Sequence, residues 1–148
     1  MANDIDALME RLILQSLNKI ADFAVDEMRE NVADAAGRNS QMYKAVDRTK
    51  VRATGNELSV EVAIETDRIV PRAGGGCGFS HYMSLNGATS YGGASMGNWV
   101  TSWFEYGVSP HAEGKYLGNQ PISARHMVKR AYDTTAKAIP GLVKSIIG

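Results

Sequence analysis

A chain of 148 residues, 44% of them hydrophobic, has the length of one domain and enough apolar material for a core, which excludes an intrinsically disordered protein. Sixteen Lys and Arg balance sixteen Asp and Glu, so a protein whose main task is to coat nucleic acid or an anionic membrane is disfavoured. Cys77 is the single cysteine, so there is no internal disulfide framework.

The opening MANDIDALMERL lacks the basic and uninterrupted apolar regions of a signal peptide, and no apolar run is long enough to span a bilayer. A soluble product without a cleaved export signal is expected. Ile5, Leu8, Leu12, Leu17, Ile20, Ala24, Met28 and Val32 recur at spacings of three to five, while Glu10, Arg11, Lys19, Asp22, Asp26 and Glu30 fall on the other side. This pattern predicts one long amphipathic helix, with Asn3 placed to cap its start and Gly37 to end it in a left-handed conformation. Thirty-odd residues at about 1.5 Å each reach roughly 50 Å, more than a domain of this size needs, so part of the helix is expected to face another molecule.

The run YKAVDRTKVRAT leads to Gly55-Asn56, after which Leu58, Val60, Val62 and Ile64 alternate with Ser59, Glu61 and Glu65. A half-buried β-hairpin is predicted. Residues 73–98 then carry eight of the fifteen glycines, yet include Phe79, Tyr82, Met83, Leu85, Tyr91 and Met96. A plain linker has nothing to bury; this stretch does, and it reads as an assembly loop that orders against a neighbour. NWVTSWFEY, dense in aromatic and β-branched residues, is predicted to be a third strand with Trp99, Thr101 and Trp103 on one face and Val100, Phe104 and Tyr106 on the other.

Residues 107–121 form a second loop. Ser123 is expected to cap a final helix whose apolar positions, from Met127 to Ile147, stay in register across Pro140, where a kink or short break is expected. The whole is a single α+β domain, residues 1–148: a long N-terminal helix and a kinked C-terminal helix packed on a small antiparallel sheet, with a long glycine-rich loop. Charge is unevenly spread. Residues 1–36 hold eight acids and three bases, while residues 107–148 hold two acids and six bases. Either the two end helices lie side by side in one subunit, or neighbouring subunits pair acidic with basic faces.

Catalytic and ligand-binding patterns fall short. GGGCG is followed by Phe79-Ser80, where a phosphate-binding loop needs Lys-Ser/Thr, and Phe79 or His81 stands where a dinucleotide fingerprint needs its last glycine. Cys77 and His81 could form a thiol nucleophile and its base, as in a small Cys-dependent hydrolase, or join His111 and His126 on a metal, but paired short ligand spacings are missing. No catalytic, cofactor-binding or metal-binding residue is assigned. Arg125, His126, Lys129, Arg130, Lys137 and Lys144 make a basic helix face that reads as solvated or subunit-facing.

The most specific stretch is WFEYGVSPH, residues 103–111. Aromatic-Phe-Glu-aromatic-Gly-Val-Ser, followed downstream by Ala124-Arg125 and a terminal helix, resembles the tail-component, or tail-completion, family of long-tailed bacteriophages, to whose circle the lambda minor tail protein Z belongs. Phe104-Glu105-Tyr106-Gly107 matches the family signature, Gly37-Arg38 its Gly-Arg link, and Ala124-Arg125 the start of its last motif. His126 and Met127 replace the usual Pro-Phe, Val108 replaces the usual Thr, and the connection from Pro110 to Pro121 is longer than usual.

The resemblance implies a non-enzymatic virion protein of the phage neck, made in the host cytoplasm, that joins tail to head around the DNA passage. A tail-terminator or head-closure role is the alternative within phage biology. The implied partners are further copies of itself in a ring, with about six favoured over twelve, a head-closure or connector protein, a tail-terminator or tail-tube protein, and DNA in the lumen without sequence specificity; no membrane is implied. The expected interface residues are Trp99, Trp103, Phe104, Glu105, Tyr106, Gly107, Ser109, Phe79, Tyr82, Tyr91 and Arg125, with aromatic anchors of the kind enriched at interfaces.

Overall fold

The amphipathic stripe at the start of the chain folds as a single helix, α1 (Ala2–Ala36). The computed structural model describes residues 2–69, 90–91, 94–109 and 121–148. Asn3 lies inside the first turn of α1 and so is not its cap. The far end follows expectation: Gly37 adopts φ +95° and donates its N–H to Ala33 O at 2.9 Å. A left-handed residue here costs a non-glycine side chain about 1 kcal/mol or more. A short helix, α2 (Gln41–Lys44), starts at Ser40, whose hydroxyl accepts the Tyr43 N–H, and buries Met42 completely.

The hairpin forms as two consecutive ladders. β1 (Val46–Arg48) pairs antiparallel with β4 (Val62–Ile64), and β2 (Arg52–Thr54) pairs with β3 (Glu57–Ser59) across the Gly55-Asn56 turn. The register slips by one residue between them, with three residues on one side and two on the other, which is a bulge. Thr49 holds it. Its N–H donates to Glu61 O at 2.9 Å, and its hydroxyl accepts the Glu61 N–H at 3.0 Å in place of a ladder carbonyl. The alternation holds as predicted: Leu58, Val60 and Val62 are half-buried and Ile64 buried, while Ser59 and Glu61 are exposed.

A 3-10 turn (Thr66–Arg68) follows β4, and two-residue strands β5 (Ser90–Tyr91) and β6 (Ala94–Ser95) pair within the glycine-rich span. The next element corrects the sequence reading. Residues 96–106 are not a strand but a helix, α3 (Met96–Tyr106). Val100, Trp103 and Phe104, spaced by three and one, fall on one helical face and are all buried, whereas a strand would divide them between two faces. Aromatic and β-branched residues lose well under about 1 kcal/mol each in a helix, whereas burying a large apolar side chain is worth roughly 1.5–3 kcal/mol. Burial decides.

α4 (Met127–Ile147) closes the fold. It runs continuously through Pro140, where a break was among the expected outcomes. It lies antiparallel to α1. Asn31 Nδ2 donates to Met127 O at 3.0 Å at one end, and Lys19 Nζ to Ser145 Oγ at 2.6 Å at the other. Val25, Met28 and Val32 of α1 meet Met42, Val46, Ile64, Val100, Phe104, Met127 and Ala131 in one core. The architecture is α+β, with long terminal helices on small antiparallel strand pairs.

Candidate functional site

The signature residues 103–107 end α3 and turn the chain, and there they meet the residues that open α4. Gly107 takes φ +82° and donates its N–H to Trp103 O at 2.8 Å, closing the helix. A Cβ at this position would stand 3.0 Å from Ile122 O and 3.1 Å from Ala124 N, so both backbone conformation and close approach call for glycine. Val108 and Ile122 then exchange N–H to O bonds at 3.0 and 2.9 Å. The last carbonyls of α3 are satisfied from across the turn: Arg125 N–H donates to Phe104 O at 2.8 Å, and His126 N–H to Glu105 O at 3.1 Å.

Glu105 completes the exchange in the other direction. Its Oε2 accepts the Val128 N–H at 2.9 Å and its Oε1 the Lys129 N–H at 3.1 Å. These belong to the first turn of α4, where backbone donors lack intrahelical partners, and the carboxylate also faces the positive end of the helix dipole. Cap and helix come from different elements. The expectation that Ser123 caps α4 is therefore corrected: the N-cap position is His126, in the left-handed conformation at φ 49° with no side-chain cap bond of its own. A serine several residues before a helix resembles a cap in sequence, while a carboxylate more than twenty residues upstream leaves no local signal.

This geometry redistributes the expected interface residues. Trp103, Phe104 and Glu105 are 6%, 8% and 6% exposed and pack inside the subunit, a correction to their reading as interface anchors. Gly107 serves the turn between α3 and α4. Tyr106, by contrast, is 74% exposed beside the junction, and Ser109 and Arg125 are exposed as well. Trp99 and Tyr91 belong to α3 and β5 by backbone. Phe79, Tyr82, Cys77, His81, His111 and residues 73–89 of the expected assembly loop lie outside the described residues.

Two features that sequence reasoning named only in part flank this junction. One is an apolar groove of about 320 Å³ between the second half of α1, the strands and α4, lined by Ile20, Ala24, Val60, Val62, Val128, Tyr132 and Ile139 among others. It continues beside Tyr106, Lys129 and Tyr132 into a second recess between α3 and α4. The other is the first half of α1, where residues 4–11 and 13–15 are all exposed, Ile5, Leu8, Met9, Ile13 and Leu14 included. Here the hydrophobic spacing signalled an apolar face correctly, and the structure leaves it uncovered among the described residues.

Elsewhere Arg48 fastens β1 to the middle of α1. Its guanidinium donates to Asn18 O at 2.9 Å, to Asp22 Oδ1 at 2.8 Å and to the Asn18 side-chain oxygen. Among the described residues no group of three or more His, Cys, Asp or Glu is placed to hold a metal, and no helix is long and apolar enough to cross a membrane. No protein-family profile, curated protein or solved structure matches this chain.

Proposed function

We propose that this chain is a structural subunit of the neck of a long-tailed bacteriophage: a tail-completion protein that assembles with copies of itself and joins the tail to the DNA-filled head around the DNA passage. One observation carries the reading. The two motifs that resemble the tail-completion family, Phe104-Glu105-Tyr106-Gly107 and Ala124-Arg125, are far apart in sequence yet hydrogen-bond to each other, through Arg125 N–H on Phe104 O at 2.8 Å. A Cβ on Gly107 would stand 3.1 Å from Ala124 N, tighter than ordinary contact. A resemblance made of unrelated chance matches would have no reason to converge on one junction. The motif docks two helix ends on each other, which suits a scaffold for assembly.

The test is genetic and visual. Disrupting the gene in the phage that carries it is expected to leave filled heads and finished tails unjoined in electron micrographs, and antibody against the chain is expected to mark the neck of intact virions. Normal virions from the disrupted gene overturn the reading. Label at the tail tip overturns the neck assignment, while label that stays on separated tails or on separated heads assigns the tail-terminator or the head-closure alternative. Loss of infectivity from Cys77→Ser in folded, incorporated protein points instead to the hydrolase alternative.

A further inference from the structure

The end of α4 meets α1 at Lys19, whose Nζ donates to Ser145 Oγ at 2.6 Å, and α1 runs on beyond that point to Ala2. Counting back in fours from Met28, Ala24 and Ile20, which line the groove against α4, leads through buried Ser16 to Leu12 and Leu8. Residues three and four apart share a helix face, so Leu12, Leu8 (48% exposed), Met9 (52%) and Ile5 (63%) prolong the face that α4 covers higher up. The β2–β3 hairpin stands on another side of α1, where Ala53, Asn56 and Leu58 form a recess with Glu10, Leu14 and Leu17. Asp6, four residues before Glu10, leans toward that side as well.

One pair of charges borders the uncovered face. With Ile5 and Leu12 at heptad position a and Leu8 at d, Asp4 and Arg11 are seven residues apart and both occupy position g, the flank from which ion pairs reach a neighbouring helix. Both are exposed, and neither forms an ion pair among the described residues. They stand about 10.5 Å apart along the helix, too far to pair with each other.

We infer that two copies of this chain pair through the first half of α1, antiparallel, about a two-fold axis between Asp6 and Ala7. Charge fixes both direction and register. Laid antiparallel, the g flank of each helix meets the g flank of the other, so Asp4 of each copy reaches Arg11 of the other and two unlike pairs form at once. Laid parallel, position g faces position e, where Asp4 would meet Met9 and Arg11 would meet Ser16. No ion pair results. The same antiparallel register sets Ile5 of each copy against Leu8 of the other and starts the second α1 level with Arg11, clear of the end of α4 near Lys19. A two-fold contact joins two copies and goes no further, so it describes the free chain and holds or fails independently of the neck assignment.

Sedimentation of the purified full chain over a concentration series, at low salt, tests the pairing. The wild-type protein is expected to dimerise. Asp4→Arg and Arg11→Asp are each expected to weaken the dimer about fivefold or more, because either substitution turns both ion pairs into like-charge contacts. The double variant Asp4→Arg/Arg11→Asp restores unlike charges and is expected to return to within about twofold of wild type, which a loss caused by damage to the helix would not do. Leu8→Asp is expected to abolish the dimer with the circular dichroism spectrum unchanged. A wild-type monomer at every concentration, association that survives Leu8→Asp, or a double variant as weak as the single ones each overturns the contact. Single charge variants that dimerise as wild type overturn it too, and are the result that parallel pairing gives.

Discussion

Glu105 Oε2 accepts the backbone N–H of Val128 at 2.9 Å, so α4 takes its N-terminal cap from α3 and not from its own flanking residues. With Lys129 N–H on Oε1 and Arg125 and His126 N–H on the last carbonyls of α3, the two helix ends satisfy each other's unpaired groups. The family-like residues thus act first inside the subunit, holding the groove wall that α4 provides.

Replacing Glu105 by Ala is expected to cost about 2 kcal/mol in urea unfolding, since it removes a cap and leaves two amide donors without partners at a site only 6% exposed. Glu105→Gln retains one acceptor and should lose less than the alanine variant. Hydrogen exchange at Val128 and Lys129 is expected to accelerate before the rest of α4. A Glu105→Ala protein within about 0.5 kcal/mol of wild type refutes the capping role.

Gly107→Ala and Gly141→Ala should move stability in opposite directions. At position 107 a Cβ meets Ile122 O at 3.0 Å and Ala124 N at 3.1 Å on a backbone at φ +82°, so a loss of at least about 1–2 kcal/mol is expected. Gly141 lies within α4 with nothing inside 4 Å of a built Cβ, and alanine there should gain up to about 1 kcal/mol by helix propensity. Thermal melts of the two variants check both signs.

Trp103 and Tyr106 are three residues apart and are expected to respond to truncation in unlike ways. Trp103→Ala opens the core and should cost about 3–5 kcal/mol of folding stability. Tyr106→Ala, at 74% exposure, should leave the melting curve within about 0.5 kcal/mol of wild type. Any effect of Tyr106→Ala belongs to association, read by sedimentation.

The Asp47 carboxyl is held below its usual value of 3.8, first by the Arg48 N–H and then by the Arg68 guanidinium, which it meets at 2.9 Å. A carboxylate whose folded-state pKa is depressed contributes stability above its unfolded pKa and loses it as pH falls through the folded one. Melting temperatures of wild type and Asp47→Asn should therefore differ at neutral pH and converge as pH drops below the usual aspartate range. A gap that persists unchanged into acid overturns the assignment.

The elements carried by local periodicity were legible in the chain itself. Apolar residues every three to four positions specify α1 and α4, alternation specifies the paired strands around Gly55-Asn56, and Gly37 ends α1 because a helix end needs a left-handed residue. These are short-range effects, written in neighbours. Residues 96–106 resisted because aromatic and β-branched side chains suit strand and helix almost equally, within fractions of about 1 kcal/mol per residue, so the preference came from which face could be buried. Only the assembled core supplies that: Val100, Trp103 and Phe104 find it as a helix. The roles of Glu105 and Gly107 likewise depend on chain more than a dozen residues away, and the exposure of Ile5, Leu8 and Met9 depends on where α4 ends against α1. Spacing marks a residue as apolar or polar; packing alone decides whether its partner lies within the chain or remains to be met.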